Sequence, residues 1–274
     1  MKTVTFCYPD YSQPTSLVTP TFTGPAWLNL ELLQGEIISE MARCPSVLLA
    51  DTIITIDLKR PRDARVFVVP MHNASDGDLA RVRFATDAAF NEVVLDSGWI
   101  EFYGTVYPWG ALPWGHPSWW DGRLTDEDAA GYVIPWMYTV GESVVGQFVE
   151  WSFDFTTNPA GVCDVGRLVV SPAFSPVWNV SCGIQFGWND GSKKQRSKGG
   201  AAFKDRATKY RTARMQLEWL ETNEAYGGLW EMMRRHGVTE PFFFIFDTDE
   251  DASLRLKRSF MCAASALDPA SRSR

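Results

Sequence analysis

The sequence predicts a mainly β protein: an antiparallel β-sandwich joined to a small α+β unit. Three observations carry this. Between residues 47 and 172, short apolar alternations are separated by Gly, Pro and Asn turn chemistry, with no helical periodicity between them. The clearest alternation, residues 147–155, places Val149, Trp151, Phe153 and Phe155 on one face and Glu150, Ser152 and Asp154 on the other. Near residue 190 the design changes to a basic stretch, one helical stripe and two apolar strands, too little chain to bury a stable core by itself. The expected organisation is an arm over 1–45 packing with the C-terminal unit, a sandwich over 46–190, and an assembly unit over 191–274.

Taken in order, residues 1–25 are rich in Pro, Thr and Ser and read as extended chain. Residues 27–41 hold two alternating apolar patches broken at Gly35, expected as strand, turn and strand, with a helix as the competitor. Ile54 and Ile56 alternate with Thr55 and Asp57, and Arg65-Val-Phe-Val-Val69 follows Pro61. The Asn73-Ala-Ser-Asp-Gly77 loop precedes a strand in which Val82 and Phe84 face inward. Asn158-Pro-Ala-Gly161 supplies turn chemistry before Asp164-Val-Gly-Arg-Leu-Val-Val170 resumes the sheet. Between residues 99 and 138 the alternation gives way to a tryptophan- and tyrosine-rich stretch punctuated by Pro108, Pro113 and Pro117; long irregular segments of this kind are functional or lie at interfaces.

In the last part, Met215, Leu217 and Trp219 alternate as a strand would. Tyr226, Leu229, Trp230 and Met233 form a helical stripe capped by Thr222 or Asn223, with Arg234, Arg235 and His236 where the helix dipole favours cations and Gly237 as the stop. Pro241-Phe-Phe-Phe-Ile-Phe246 reads as a buried strand, and an acidic turn leads to a strand over 255–264.

The 274 residues carry a formal charge of −7, unevenly spread. Residues 192–214 hold nine Lys/Arg against Asp205 alone, so that segment is +8 and the remainder −15. An acidic body with one basic arm suits pairing with copies of itself. The N-terminus lacks the apolar centre of a signal peptide, and no apolar run approaches a membrane span, so synthesis in a reducing cytoplasm is expected. The odd, scattered cysteines Cys7, Cys44, Cys163, Cys182 and Cys262 are expected as buried free thiols.

Two sets of residues carry a family resemblance. The first is Ile56-Asp-Leu58, Arg65-Val-Phe-Val-Val-Pro-Met-His-Asn73, Asp96-Ser-Gly-Trp99, Asp164-Val-Gly-Arg-Leu-Val-Val-Ser-Pro172, Pro176-Val-Trp-Asn179 and Gly187-Trp-Asn-Asp190. The second is Gly199-Gly200, the basic residues 206–214, the stripe over 223–237 and Pro241-Phe-Phe-Phe-Ile-Phe-Asp247. In type and order these elements resemble baseplate and distal-tail structural proteins of long-tailed (siphovirus-type) bacteriophages, the first set a galactose-binding-like jelly roll, the second a tail-tube-like ring unit. The resemblance implies a virion tail component made in the host cytoplasm: a ring-forming adaptor, homo-oligomeric and six-fold, joining tail tube to baseplate proteins.

Candidate sites follow. No catalytic, cofactor or metal site is signalled: His72, His116 and His236 are far apart in sequence, and there is no nucleophile elbow, phosphate loop or dinucleotide fingerprint. Asp247, Asp249 and Asp251 alternate as calcium ligands do, but Ala252 and Arg258 stand where an EF-hand loop needs Gly and Glu, so a solvated turn is expected. In the aromatic segment Trp114, His116, Trp119, Trp120 and Asp121 are the candidate contacts. Capping of the sandwich or a subunit interface is the preferred expectation there, and a cell-surface glycan the alternative. Lys193, Lys194, Arg196, Lys198, Arg206 and Arg211 form the candidate assembly arm, preferred over nucleic-acid binding because the chain is otherwise acidic. Membrane insertion is not expected.

Overall fold

The computed structural model describes residues 4–125, 127, 134–178, 184–198, 200–217, 219–247 and 257–266. Strands are numbered in chain order. β1 (Thr5–Cys7), β2 (Thr21–Thr23) and β3 (Ala42–Cys44) precede the long β4 (Ile54–Val69). β5 (Leu79–Ala85), β6 (Val93–Asp96) and β7 (Ile100–Glu101) follow, then the longest strand, β8 (Trp136–Asp154), and the short β9 (Cys163–Val165) and β10 (Val169–Ser171). All of these but β1 form an antiparallel β-sandwich. Its main sheet has seven strands in the order β10-β4-β8-β5-β6, with β2 added on β4 and β7 on β5.

The inner face of that sheet is built by alternation. Ile54, Ile56 and Leu58 of β4 lie opposite the β8 segment that carries Val149, Trp151 and Phe153, and all six are essentially inaccessible to solvent. The facing layer is the β3–β9 pair and a 3-10 helix at Leu30–Gln34, which bring Ala42, Cys44, Cys163, Val165 and Leu33 into the same core. The sheet bends at residues 58–62 of β4, where the register with β8 shifts, Lys59 takes a positive φ of 66° and Pro61 cannot donate to the ladder. Beyond the bend, Phe67 and Val69 still face the sandwich core, whereas Val66 and Val68 pack against Cys7, Phe243 and Ile245. The continuous apolar run at 66–69 is thus explained: both of its faces are covered.

Those outer contacts belong to the second unit. β15 (Phe242–Ile245) lies between β1 and β16 (Phe260–Cys262). Its Phe242 and Phe244 face Phe6, Tyr8, Met232 and Phe260, while Phe243 and Ile245 face the sandwich. The helix is α1 (Trp230–His236), preceded by a π-helical turn at Glu224–Leu229. The wider turn and the bare Cα of Gly228 make room for the Phe174 ring, which a Cβ there would meet at 2.5 Å. From this unit projects a ribbon of two ladders, β11 (Gln185–Asp190) with β14 (Lys209–Arg214) and β12 (Lys193–Arg196) with β13 (Ala202–Asp205).

Several expectations are corrected. The segment 1–45 divides rather than acting as one arm: β1 pairs with β15, but β2 and residues Trp27, Leu33, Ala42 and Cys44 belong to the sandwich. The strand–turn–strand over 27–41 is instead the 3-10 helix, because Leu30 and Leu33, three apart, face one core in a three-residue turn. Of the strand expected at 215–219, residues 215–217 and 219 take no strand conformation and residue 218 lies outside the described ones; Met215 and Leu217 pack against the core of the C-terminal unit instead. Residues 164–170 do not run as one strand; β9 and β10 belong to different layers. Of the strand over 255–264, only β16 at Phe260–Cys262 is seen, residues up to 256 lying outside the described ones.

Trp151 touches Phe67, Phe153 and Trp136 at the centre of the core. Trp151→Ala is expected to lower unfolding stability by roughly 3–5 kcal/mol, read from a urea titration, with the m-value unchanged if the fold survives.

Candidate functional site

The aromatic segment between β7 and β8 serves two separate purposes. Phe102 and Trp136 are buried and join the sandwich core, the Trp136 indole N–H donating to the Ile100 carbonyl at 3.2 Å. His72 is held in the same layer, 4.3 Å from the Phe102 ring. It accepts from the Ala74 N–H through Nδ1 at 3.2 Å, which leaves Nε2 to donate to the Ile134 carbonyl at 2.7 Å. Burial pushes this imidazole down to about 4, so it is a neutral structural histidine.

Trp109, Trp114, Trp119 and Trp120 stand outside that core. A neck closes the loop: the Val106 and Tyr107 N–H groups both donate to the Gly122 carbonyl at 2.8 Å, and the Gly122 N–H donates to the Ser118 carbonyl at 2.9 Å. Gly122 is required there, with φ at 65° and a Cβ that would meet the Tyr107 carbonyl oxygen at 2.4 Å. Next to it, Arg123 ties the neck to the sandwich through Glu101 at 2.8 Å and through Asp76. Within the loop a 3-10 turn at Pro117–Trp119 is capped by His116, whose Nδ1 accepts from the Ser118 N–H at 3.2 Å.

This turn sets out the tryptophans. Trp119 is central, edge-to-face with Trp114 at 4.5 Å and with Trp120 at 4.6 Å, and 6.3 Å from Trp109. Trp109, Trp114 and Trp120 are 86%, 78% and 79% exposed. Under them is a small hollow of about 60 Å³, lined by Tyr107, Trp109, Ser118, Trp119 and Asp121 among others. The Ser118 hydroxyl is buried there and has no hydrogen-bond partner. Asp121 is exposed, its carboxylate accepting from the Arg123 N–H at 3.1 Å. The arrangement is therefore three open indole faces beside a free hydroxyl and a carboxylate.

The structure thus brings together all five residues singled out in this segment, Trp114, His116, Trp119, Trp120 and Asp121. His116 serves as the cap of the turn rather than as a free contact. Sequence reasoning passed over Trp109 and Ser118. Tryptophan density could have pointed to Trp109, whereas nothing local distinguishes Ser118.

The arm residues Lys193, Lys194, Arg196, Lys198 and Arg206 lie on the ribbon and its tip, all exposed. Lys193 stands opposite Asp205, but Lys194 stands opposite Lys204, and none of these five has a carboxylate within ion-pairing distance among the described residues. Arg211 is placed differently. Near the ribbon's root its guanidinium lies 4.7 Å over the Phe260 ring, so it anchors the ribbon rather than offering a free charge. Asp249 and Asp251 of the acidic turn, Cys182 and Gly199 lie outside the described residues. Cys7, Cys44, Cys163 and Cys262 are free thiols. No group of three or more metal-ligating side chains occurs among the described residues, and no described helix is long and apolar enough to cross a membrane.

Fold and site together define a β-sandwich protein with a surface aromatic platform and a basic projecting ribbon. No protein-family model matches the chain, and no curated protein does. Among solved structures it is similar to the family 32 carbohydrate-binding module of NanJ from Clostridium perfringens, in complex with galactose, at 10% identity and TM-score 0.33, over 61% of this chain and 98% of that one. A second is CpGH89CBM32-5 from the same organism, in complex with GalNAc-β-1,3-galactose, at 10% identity and TM-score 0.31, over 56% and 94%. A third is CpGH89CBM32-6, at 12% identity and TM-score 0.28, over 59% and 97%. Likeness of this degree assigns no site to this chain, whose sandwich is defined by its own strand pairings.

His72 makes acid stability measurable. Its folded value of about 4 lies below the 6.5 of an unperturbed histidine, so the unfolded chain binds this proton first as pH falls. The contribution is complete above pH 6.5 and drains as pH drops toward 4, amounting to roughly 3 kcal/mol. A His72→Gln variant, though less stable at pH 7, should lose less further stability over that window in urea titrations.

Proposed function

We propose that the chain is a non-catalytic carbohydrate-binding protein that contacts cell-surface glycan through its tryptophan platform. The observation carrying this is the edge-to-face cluster around Trp119, with three indoles left open to solvent. A free-standing loop gains nothing by holding apolar rings in water unless a partner covers them. Indole faces suit the C–H face of a sugar, and the exposed Asp121 carboxylate suits its hydroxyls. Complexes of the weakly similar clostridial modules with galactose and GalNAc-β-1,3-galactose are in keeping with this reading but do not bear its weight. Glycan-array binding by the intact protein tests it. Trp119→Ala and Trp120→Ala should each weaken retained binding at least about tenfold with melting temperature unchanged. Full binding in both variants would overturn the reading.

A second reading, a structural assembly part, is favoured by the ribbon. Five of its cations have no carboxylate within ion-pairing distance among the described residues, in an otherwise acidic chain, and exposed Phe203 and Tyr210 accompany them. On this reading the chain is a ring-forming adaptor of a phage tail tip, located in the virion, and the sugar platform would face outward from the assembly. Repeated head-to-tail contacts close into rings. Exposed ion pairs contribute only ~0–1 kcal/mol each and are screened over ~10 Å at 0.1 M salt, so assembly should weaken with salt. Replacing Lys193, Lys194, Arg196 and Lys198 by Ser should shift the native mass toward monomer and remove that salt dependence. Identical, salt-insensitive masses for both proteins would make the ribbon a solvated feature only.

A further inference from the structure

A wide cleft of about 960 Å³ lies between the sandwich and the C-terminal unit, remote in sequence from the tryptophan loop. One wall is the N-terminal segment around Tyr11, with Arg60 and Arg62 from the bend in β4; the other is the last turn of α1, with Arg234, Arg235 and His236. The floor is sealed by Arg167, whose guanidinium is 3.0 Å from the Asp10 carboxylate, both side chains being almost fully buried. That pair is internally satisfied and leaves the cleft's charge to the other cations.

Those cations outnumber their partners. Arg234 takes Glu231 through both carboxylate oxygens, leaving Arg235 a longer contact of 3.4 Å to the same group. Arg60 and Arg62 have no carboxylate partner within ion-pairing distance among the described residues, the neighbouring Asp63 being engaged by the Tyr11 hydroxyl at 2.9 Å. Arg62 stacks 4.5 Å over the Tyr11 ring, and its Nε is buried without a hydrogen-bond partner. Its charged form is disfavoured by burial and then by Arg60 beside it. Against these cations the cleft sets Asp10, already paired, with Glu36 and with Glu240, which is 3.8 Å from His236. A buried donor left unsatisfied and like charges held side by side both ask for an incoming anion.

The shape narrows its class. The cations come from two elements of the fold, β4 and α1, and the same cleft is lined by Tyr8, Pro14, Pro241 and Leu17, the last 91% exposed. A compact anion would meet one wall, whereas carboxylates spaced along a peptide would meet both and bring apolar side chains to the rings and to Leu17. We propose that this cleft receives an acidic polypeptide segment of a partner protein, its carboxylates engaging Arg60, Arg62 and Arg235.

The experiment uses the full chain and a short fluorescent peptide alternating glutamate and alanine, followed by anisotropy. Binding should be saturable, and Arg60→Gln with Arg235→Gln should weaken it at least about tenfold. Both positions are solvent-facing, so an unchanged melting temperature separates lost binding from lost folding. Arg62→Lys, which keeps the charge but not the planar fork, should also weaken it. The ribbon variant with Ser at 193, 194, 196 and 198 should bind as the parent does. The proposal is overturned by unchanged binding in the Arg60/Arg235 variant, by loss in the ribbon variant, by no binding at about 1 mM peptide, or by full displacement with equimolar inorganic phosphate, which would mark a compact-anion site. None of these outcomes depends on whether sugar binds at the tryptophan platform.

Discussion

The pairing of β4 with β8 is the contact on which the other parts depend. These two strands run antiparallel from Ile54 opposite Trp151 to Val69 opposite Trp136; β2 and β10 pair with β4, β5 pairs with β8, and β5 in turn carries β6 and β7. The inner face of the pair makes the sandwich core. Past the bend near Lys59, the outer face carries Val66 and Val68, on which Phe243 and Ile245 of the C-terminal unit rest. A single ladder therefore sets both the sandwich and the seat of the second unit. The bend between them also presents Arg60 and Arg62 to the cleft.

The same ladder fixes the site loop. β8 begins at Trp136, which is locked into the core, and β7 ends at Glu101, which Arg123 grips from the loop's neck. With both ends held and Gly122 closing the neck against Val106 and Tyr107, residues 108–121 are held outside the core. Trp109, Trp114 and Trp120 are exposed for that reason rather than because the segment lacks structure. Their mutual edge-to-face contacts set the angles between the rings, giving a rigid surface with little rotamer entropy left to lose on binding.

Charge is distributed by the same logic of reach. The ribbon's root is held by Arg211 over Phe260 and by the Phe186–Phe246 contact, while both strands of its outer ladder are exposed throughout. Beyond the root, Lys193, Lys194, Arg196, Lys198 and Arg206 have no carboxylate within ion-pairing distance among the described residues, although Asp190 feels the charges of Lys209 and Lys194. In the cleft the opposite holds: buried Asp10 and Arg167 satisfy each other, and the surplus lies with arginines from two units.

Much of this was legible in the residues themselves. The alternation through Val149, Trp151, Phe153 and Phe155 determined which face of β8 is inside, because side chains alternate across a strand whatever its neighbours. The apolar run 242–245 and the stop at Gly237 were equally local. Other features needed tertiary structure. Leu30 and Leu33 form a 3-10 turn only because one core faces both, and Met215 and Leu217, which alternate as a strand would, are taken up by the core of the C-terminal unit. In the aromatic segment composition marked the region, yet Phe102 and Trp119 are the same kind of residue by sequence. Which is core and which is platform was decided by the distance of each from two strands that the chain joins only after folding. The arginine cleft was wholly hidden, since Arg235 lies more than a hundred residues from Arg60 and Arg62 and shares a site with them only through the docking of two sheets.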